Sequence, residues 1–264
     1  MHKLSPLMQT TRFILLVTIL LIWPYKSARA ENVIISEIMA DNEDILQDGH
    51  GNYSDWIEIH NPHSINIDLT GFFLTDSRSD LRKWNFPNKT IIGSNEYLIV
   101  FASGQEDSSH IDPEGNLHTN FSLKSDGEYL AIIGPDGQEV IQQFSPNYPP
   151  TPKNISYGKS GYFLEPSPGN PNGGELVQGF VKDTKFSVDR GIHNEPFDLI
   201  ISSETEGSRI YYTTDGSVPD PPNGQIYNKP ITITNTTVVR AVAYKDNFEP
   251  TNVDTHSYIF LDST

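Results

Sequence analysis

An acidic loop followed by a predicted strand carries the residues whose types and spacing best suit chemistry. Within the stretch DGHGNYSDWIEIHN, residues 48–61, the oxygens of Asp48, Asn52 and Asp55 could bind calcium, because hard cations prefer clustered oxygen ligands. His50 lies where a calcium loop usually has Asp or Asn, and no glutamate closes the loop at the EF-hand spacing. The sequence therefore favours a glycine-opened turn in which Ser54 and Asp55 bond free backbone amides, with a calcium site as the alternative.

Other reactive residue types occur without the spacing that catalysis or tight metal binding needs. His60 and His63 lie on an Asn-Pro turn, and no cysteine or second histidine pair completes a zinc site. The segment GKSG at 158–161 lacks the spacing of a nucleophile elbow, and a phosphate loop would need glycine where Lys153 stands. Carboxylates are abundant, but their linear spacing identifies no glycosidase pair. We predict no catalytic residue, no cofactor beyond the calcium considered above, and no enzyme activity.

Aromatic side chains are the remaining candidates for a binding surface. Trp84 and Tyr212 could stack on sugar rings if their faces are exposed, so we predict them as carbohydrate-binding residues. Adjacent residues of a strand face opposite ways, so at least one of Tyr211 and Tyr212 should point outward. Trp56 begins a run with alternating apolar positions and is predicted to be buried.

Short apolar runs separated by Gly, Pro, Asn and Asp indicate strands along the chain, and no stretch after residue 30 shows a convincing helical repeat. The runs in the first half are 33–38, 56–59, 65–69, 72–74, 91–92, 97–102, 129–133 and 140–144. The runs in the second half are 197–201, 209–213, 231–233, 238–244 and 258–261. Proline and glycine are frequent in 145–174, which indicates an irregular closing segment that leads into a linker.

These runs predict an all-β fold with two immunoglobulin-like β-sandwich domains in tandem after a signal peptide. The predicted limits are 1–30 for the signal peptide, 31–145 for the first sandwich, 146–178 for the Pro/Gly-rich closing segment and linker, and 179–264 for the second sandwich.

The first thirty residues have the composition of an export signal. Lys3 and Arg12 give a basic start, and the apolar run 13–23 is shorter than the roughly 20 residues of a membrane-spanning helix. Pro24 and a small-x-small pattern ending at Ala30 follow. We predict cleavage near Ala30, contact with the membrane only during export, and a secreted or cell-envelope location.

The overall composition narrows the choice of partner. The chain has 34 acidic and 18 basic side chains and a net charge of −16, which repels nucleic acid phosphates and argues against a nucleic-acid-binding role. The sequence contains no cysteine, which excludes disulfides, thiolate metal sites and cysteine nucleophiles. This composition is more typical of a bacterial envelope protein than of an animal extracellular one.

Four separated blocks in the first half carry a family resemblance: ISEIMA, DWIEIHN, DLTGFFLTD and the WNFP at 84–87. In this order they resemble the lamin tail domain in its bacterial secreted form, over roughly residues 33–144. The resemblance implies an immunoglobulin-like sandwich used for binding and attachment, and it implies no catalytic residues.

In the second half, IYYTTDGSVP and the pattern T-x-V-x-R-A-x-A at 236–243 resemble a chitobiase/β-hexosaminidase C-terminal-type domain. That resemblance implies a β-sandwich appendage of secreted bacterial proteins. Chains similar to this tandem often continue into a CotH-like kinase domain or another large region.

The sequence thus predicts a secreted, non-catalytic binding or attachment protein whose partner is a protein or a cell-surface polysaccharide. The alternatives are the N-terminal accessory region of a larger secreted enzyme or CotH-like kinase protein, and a carbohydrate-binding protein. A reading frame that continues past residue 264 would favour the accessory role.

Overall fold

The structure, a computed structural model, describes residues 33–105 and 111–261. Within these two ranges every regular element is a strand, which confirms the predicted all-β fold class. The predicted signal peptide lies outside the described residues. In the part of the chain that the structure describes, no helix is long and apolar enough to cross a membrane.

Thirteen strands cover the first part of the chain. In chain order they are β1 (Ile34–Met39), β2 (Asp55–His60), β3 (Ile67–Asp68), β4 (Phe73–Thr75), β5 (Trp84–Asn85), β6 (Ile91–Ile92), β7 (Tyr97–Ala102), β8 (Leu117–His118), β9 (Leu130–Ile133), β10 (Val140–Phe144), β11 (Ser156–Gly158), β12 (Gly161–Phe163) and β13 (Leu176–Val177). They form a seven-stranded sheet in the order β13-β12-β11-β1-β2-β7-β8, a four-stranded sheet in the order β10-β9-β4-β5, and the separate pair β3-β6.

The two larger sheets of this first sandwich pack around one hydrophobic core. Alternation along β2 decides which side chains enter it, because successive residues of a strand face opposite sides. Ile57 and Ile59 are fully buried in the core, and Trp56 and Glu58 lie on the outer face of the same sheet. That outer face is covered as well, since Trp56 packs with Phe101 in a second buried cluster.

Strands β11, β12 and β13 extend the seven-stranded sheet, so residues 156–177 belong to the first sandwich, although the composition of 145–174 indicates irregular chain. Glycine is needed in this hairpin because β11 approaches β1 closely. A Cβ atom at Gly158 would lie 2.6 Å from the backbone oxygen of Ser36. The glycine content that indicates a linker in the sequence thus serves close strand packing.

Nine strands form the second sandwich. They are β14 (Thr184–Phe186), β15 (Gly191–His193), β16 (Phe197–Leu199), β17 (Ile201–Ser203), β18 (Arg209–Thr213), β19 (Gln225–Ile226), β20 (Ile231–Ile233), β21 (Thr237–Tyr244) and β22 (Asp254–Phe260). Five of them form the sheet β15-β22-β21-β18-β19, and β14-β17 and β16-β20 form two pairs. Their core is a cluster centred on Leu199, Val239 and Tyr258, which are fully buried.

Candidate functional site

The acidic loop is a tight turn built around the side chain of Asp48. One carboxylate oxygen accepts hydrogen bonds from the backbone N–H groups of His50 and Asn52, both at 2.9 Å, and the other accepts one from the Ser54 hydroxyl at 2.9 Å. Burial opposes ionisation here, but these hydrogen bonds outweigh it and lower the pKa of Asp48. The carboxylate oxygens are therefore already used in shaping the turn.

The sequence D-x-x-G-N that makes this turn occurs a second time, at residues 112–116, which the sequence analysis missed. Asp112 accepts hydrogen bonds from the N–H groups of Glu114 and Asn116, as Asp48 does from the second and fourth residues after it. Gly51 and Gly115 occupy equivalent positions with positive φ angles of 80° and 91°. The two turns also touch, because the backbone N–H of Gly49 donates to Asp112 at 2.6 Å.

The Asp55 carboxylate accepts hydrogen bonds from donors other than those that bond Asp48. Its carboxylate accepts a hydrogen bond from the backbone N–H of Asn42 at 3.4 Å, and burial raises its pKa to about 6. Asn52, the third predicted calcium ligand, is exposed. Among the described residues, no group of three His, Asp or Glu side chains is placed to hold a metal ion.

This geometry gives an expected result for calcium. We expect millimolar calcium to leave the melting temperature of the chain unchanged, because the Asp48 oxygens are occupied by three N–H and O–H donors and a bound ion would have to displace them. Differential scanning calorimetry with and without calcium, with magnesium as the control ion, measures this. A rise that Asp48→Asn abolishes would establish the calcium alternative.

The two predicted carbohydrate-binding residues have different surroundings. Trp84 is 1% exposed and packs edge-on against Phe86 in the first core, with 4.9 Å between the ring centroids, so the prediction that it stacks on a sugar is wrong. Tyr212 is half-buried on β18, and its hydroxyl lies 3.2 Å from the Gln225 side-chain oxygen. It lines a polar recess of about 420 Å³ that also contains Thr232 and other threonines, and there the sugar hypothesis stays open.

The histidines of the Asn-Pro turn do not form a metal site in the described part of the chain. His60 stacks on Tyr97 with 4.2 Å between the ring centroids, and burial lowers its pKa. The Nε2 atom of His63 is buried without a hydrogen-bond partner among the described residues.

Ser103, His118 and Asp112 form a chain of polar contacts that resembles a nucleophilic triad. The Ser103 hydroxyl lies 2.8 Å from His118 Nδ1, and His118 Nε2 lies 3.2 Å from the Asp112 carboxylate. An oxyanion hole needs backbone or side-chain donors beside the serine. The N–H groups of Gly104 and Gln105 instead donate to backbone carbonyls, and His118 is fully buried. In the described residues these contacts fix the turn at Asp112.

Two glutamates that the sequence analysis did not single out lie side by side beneath the closing segment. Glu37 and Glu58 are paired in register on β1 and β2 and are both fully buried. The Ser167 N–H donates to Glu37 at 3.1 Å, and the Gly169 N–H donates to Glu58 at 2.7 Å. Desolvation raises the pKa of Glu58 to about 7, and the nearby Glu37 charge adds to the effect.

A cleft of about 940 Å³ opens where β10 ends the four-stranded sheet. We call it the β1–β10 cleft, because residues 33–36 at the start of β1 and residues 141–144 of β10 line it. The β11–β12 hairpin and the adjoining ends of β2 and β7 complete its walls. Its apolar floor includes Phe144 and Phe163, and Ile34 on its rim is 39% exposed. Polar side chains, among them Gln142, Lys159 and Asn172, line it as well, and clefts that combine apolar and polar side chains are common binding sites of proteins.

Comparison with known proteins agrees with the two-part architecture. The Lamin Tail Domain family matches residues 26–147, and the family described as Fn3 associated matches residues 199–258. Both are non-catalytic domain families. No curated protein and no solved structure matches the chain. The chain is thus similar to the lamin tail domain over residues 26–147 and to the Fn3-associated family over residues 199–258.

Proposed function

We propose that this chain is an exported binding or attachment protein whose lamin tail domain holds its ligand in the β1–β10 cleft. The cleft carries the proposal, because it combines apolar side chains such as Phe144 and Phe163 with polar side chains such as Gln142 and Lys159 on a sheet scaffold. The leader sequence supports export to the cell envelope or the medium. The partner classes are a protein and a cell-surface polysaccharide.

The second domain has a supporting role in this proposal. Its sequence resemblance to chitobiase C-terminal-type domains suggests an appended β-sandwich, and Tyr212 beside Thr232 and Gln225 would offer a sugar both a ring face and hydroxyl and amide groups. A polysaccharide bound there would attach the chain while the cleft holds a separate ligand.

A matched pair of variants tests the role of the cleft. Ile34→Asp puts a charge on the cleft rim, and Ile226→Asp makes the same change at a residue that is 56% exposed on β19 in the second sandwich. Both positions are exposed, so we expect both variants to fold. The probes are a random linear peptide library and a panel of neutral and uronic-acid polysaccharides.

We expect at least one probe to bind the unchanged chain and Ile226→Asp with equal Kd, and to bind Ile34→Asp about tenfold or more weakly, a loss of about 1.4 kcal/mol. Biolayer interferometry measures the Kd values, and Tyr212→Ala tested in parallel reports on the second-domain recess. The proposal is wrong if no probe binds, or if every probe that binds is insensitive to Ile34→Asp.

A further inference from the structure

The walls of the β1–β10 cleft are strand edges, and this limits what can fill it. β10 is the outermost strand of its sheet, and β9 is its only strand partner among the described residues. On the opposite wall, β1 pairs with β2 along its length but with β11 only at Ile38, opposite Tyr157. β11 therefore reaches the outer edge of β1 only as far as Ser36, where Gly158 packs, and no neighbouring strand lies along Ile34 and Ile35 in the described structure.

Side-chain amides occupy the place of that neighbour. The Gln142 amide accepts a hydrogen bond from the backbone N–H of Ile35 at 2.7 Å and donates to the Ile35 carbonyl at 3.2 Å. The Asn172 amide donates to the Ser36 carbonyl at 3.0 Å. Gln142 thus makes the same two kinds of bond to Ile35 that a residue of an added strand would make. The β1 edge is therefore already capped, and among the described strands the edge open to an added strand is that of β10. A whole glutamine side chain spans the distance between β1 and β10, so the two edges are too far apart to pair directly.

Two of the residues that line the cleft have a buried polar atom without a hydrogen bond. The Nε2 of His63 and the Oδ1 of Asn172 have no partner among the described residues. A ligand satisfies these atoms only if it brings hydrogen-bond donors and acceptors into the cleft beside them. The N–H and C=O groups of an extended peptide are such donors and acceptors.

The charge of the lining differs from that of the chain as a whole. The chain has 34 acidic and 18 basic side chains, yet none of the described Asp or Glu residues lines the cleft, and Lys159 is an exposed cation in its lining. Charges beyond about 8 Å are screened at physiological ionic strength, so the local lysine outweighs the distant acidic surface for a bound ligand.

Resting on the proposed function, we infer that the β1–β10 cleft binds an extended peptide segment of a partner protein by strand addition to the edge of β10. The peptide carries apolar side chains at alternate positions, which enter the floor at Phe144 and Phe163, and a carboxylate that pairs with Lys159. Main-chain hydrogen bonds to a strand edge supply affinity in this mode, and alternate side chains supply specificity.

The test begins with selection from the random linear peptide library on the unchanged chain, with counter-selection on Ile34→Asp. We expect the enriched peptides to alternate apolar residues and to contain Asp or Glu. The best peptide is then synthesised in three forms: unchanged, with its acids replaced by lysine, and with alternate backbone nitrogens methylated. We expect each altered peptide to bind the unchanged chain about tenfold or more weakly. We also expect Lys159→Glu to weaken binding of the unchanged acidic peptide. Lys182→Glu makes the same change on an exposed lysine outside the cleft and should leave Kd unchanged.

The outcomes separate this inference from the proposed function. Equal binding of the methylated peptide, or of the lysine form, overturns strand addition by an acidic peptide. Cleft-dependent binding of a uronic-acid polysaccharide with no enriched peptide also overturns it, but leaves the cleft as a binding site. The absence of any ligand that responds to Ile34→Asp overturns both.

Discussion

Replacing Trp84 by alanine is expected to lower the free energy of unfolding of the first sandwich by about 3–5 kcal/mol, as for other buried large aromatic residues. Trp84 is 1% exposed and contacts Phe86 within the core between the two sheets. Its Nε1 atom has no hydrogen-bond partner among the described residues, so the loss is one of packing. Urea unfolding followed by fluorescence measures it, because Trp56 remains as a probe in the same sandwich.

Tyr53→Ala is the matched control, because it also removes an aromatic ring from the first sandwich but at a position that is 41% exposed. We expect a change within about 0.5 kcal/mol for that variant. A loss below about 1 kcal/mol for Trp84→Ala would contradict a core position. The result matters for function, because a loss of sugar binding in Trp84→Ala would then report unfolding and would say nothing about a sugar site.

Lowering the pH from 8 to 5 is expected to stabilise the first sandwich. Desolvation under the closing segment raises the pKa of Glu58 to about 7 from an ordinary value of 4.5. Between these values the native chain holds a proton that the unfolded chain has released, so the free energy of unfolding falls as the pH rises through this window. Asp55, whose pKa is raised to about 6, acts in the same direction. The contribution of Glu58 is at most about 3 kcal/mol, since one pKa unit corresponds to about 1.4 kcal/mol.

Glu58→Gln isolates this contribution. A glutamine can accept the hydrogen bond from the Gly169 N–H through its oxygen and donate to the Ser36 hydroxyl through its nitrogen, so both contacts persist without a charge. We expect the variant to be more stable than the unchanged chain at pH 8 and nearly equal to it at pH 5. Urea unfolding across this range measures the difference, with Glu175→Gln, an exposed glutamate, as the control.

The lowered pKa of His60 opposes the Glu58 trend in the unchanged chain, because its neutral form is favoured in the native state. The contribution of His60 is the same in the unchanged chain and in Glu58→Gln, so it cancels in the difference between their free energies of unfolding. A pH profile that Glu58→Gln does not flatten would show that Glu58 is not the group that titrates.

The sequence was sufficient for the class of fold and for several of its strands. The predicted runs 91–92, 97–102 and 140–144 coincide with β6, β7 and β10. The alternation in WIEI correctly places Ile57 and Ile59 on one face of β2. The predicted turn is present at residues 48–52, but Asp48 accepts the hydrogen bonds of its backbone N–H groups, a role that the sequence assigned to Ser54 and Asp55. These features depend on residues within a few positions of one another, and such local patterns are visible in the sequence.

Whether a particular side chain is buried depends on contacts with segments that are distant in the sequence. Trp84 lies in the two-residue strand β5, which is too short for alternation to show whether its ring faces the core or the solvent. Glu58 occupies the position where an alternating strand usually faces water, and it is covered by Gly169, which is 111 residues away. A polar residue at such a position becomes buried only because a distant segment folds over it.

The β1–β10 cleft is likewise a product of the tertiary structure. Its two walls meet through Ile35 and Gln142, which are 107 residues apart. The sequence by itself determined the class of fold, several of the strands, the alternation along β2, the turn at Asp48 and the acidic character of the chain, because each follows from local periodicity or composition. The packing of distant segments decided which carboxylates and aromatic rings are buried and where a ligand can bind, because burial depends on what covers a residue in space.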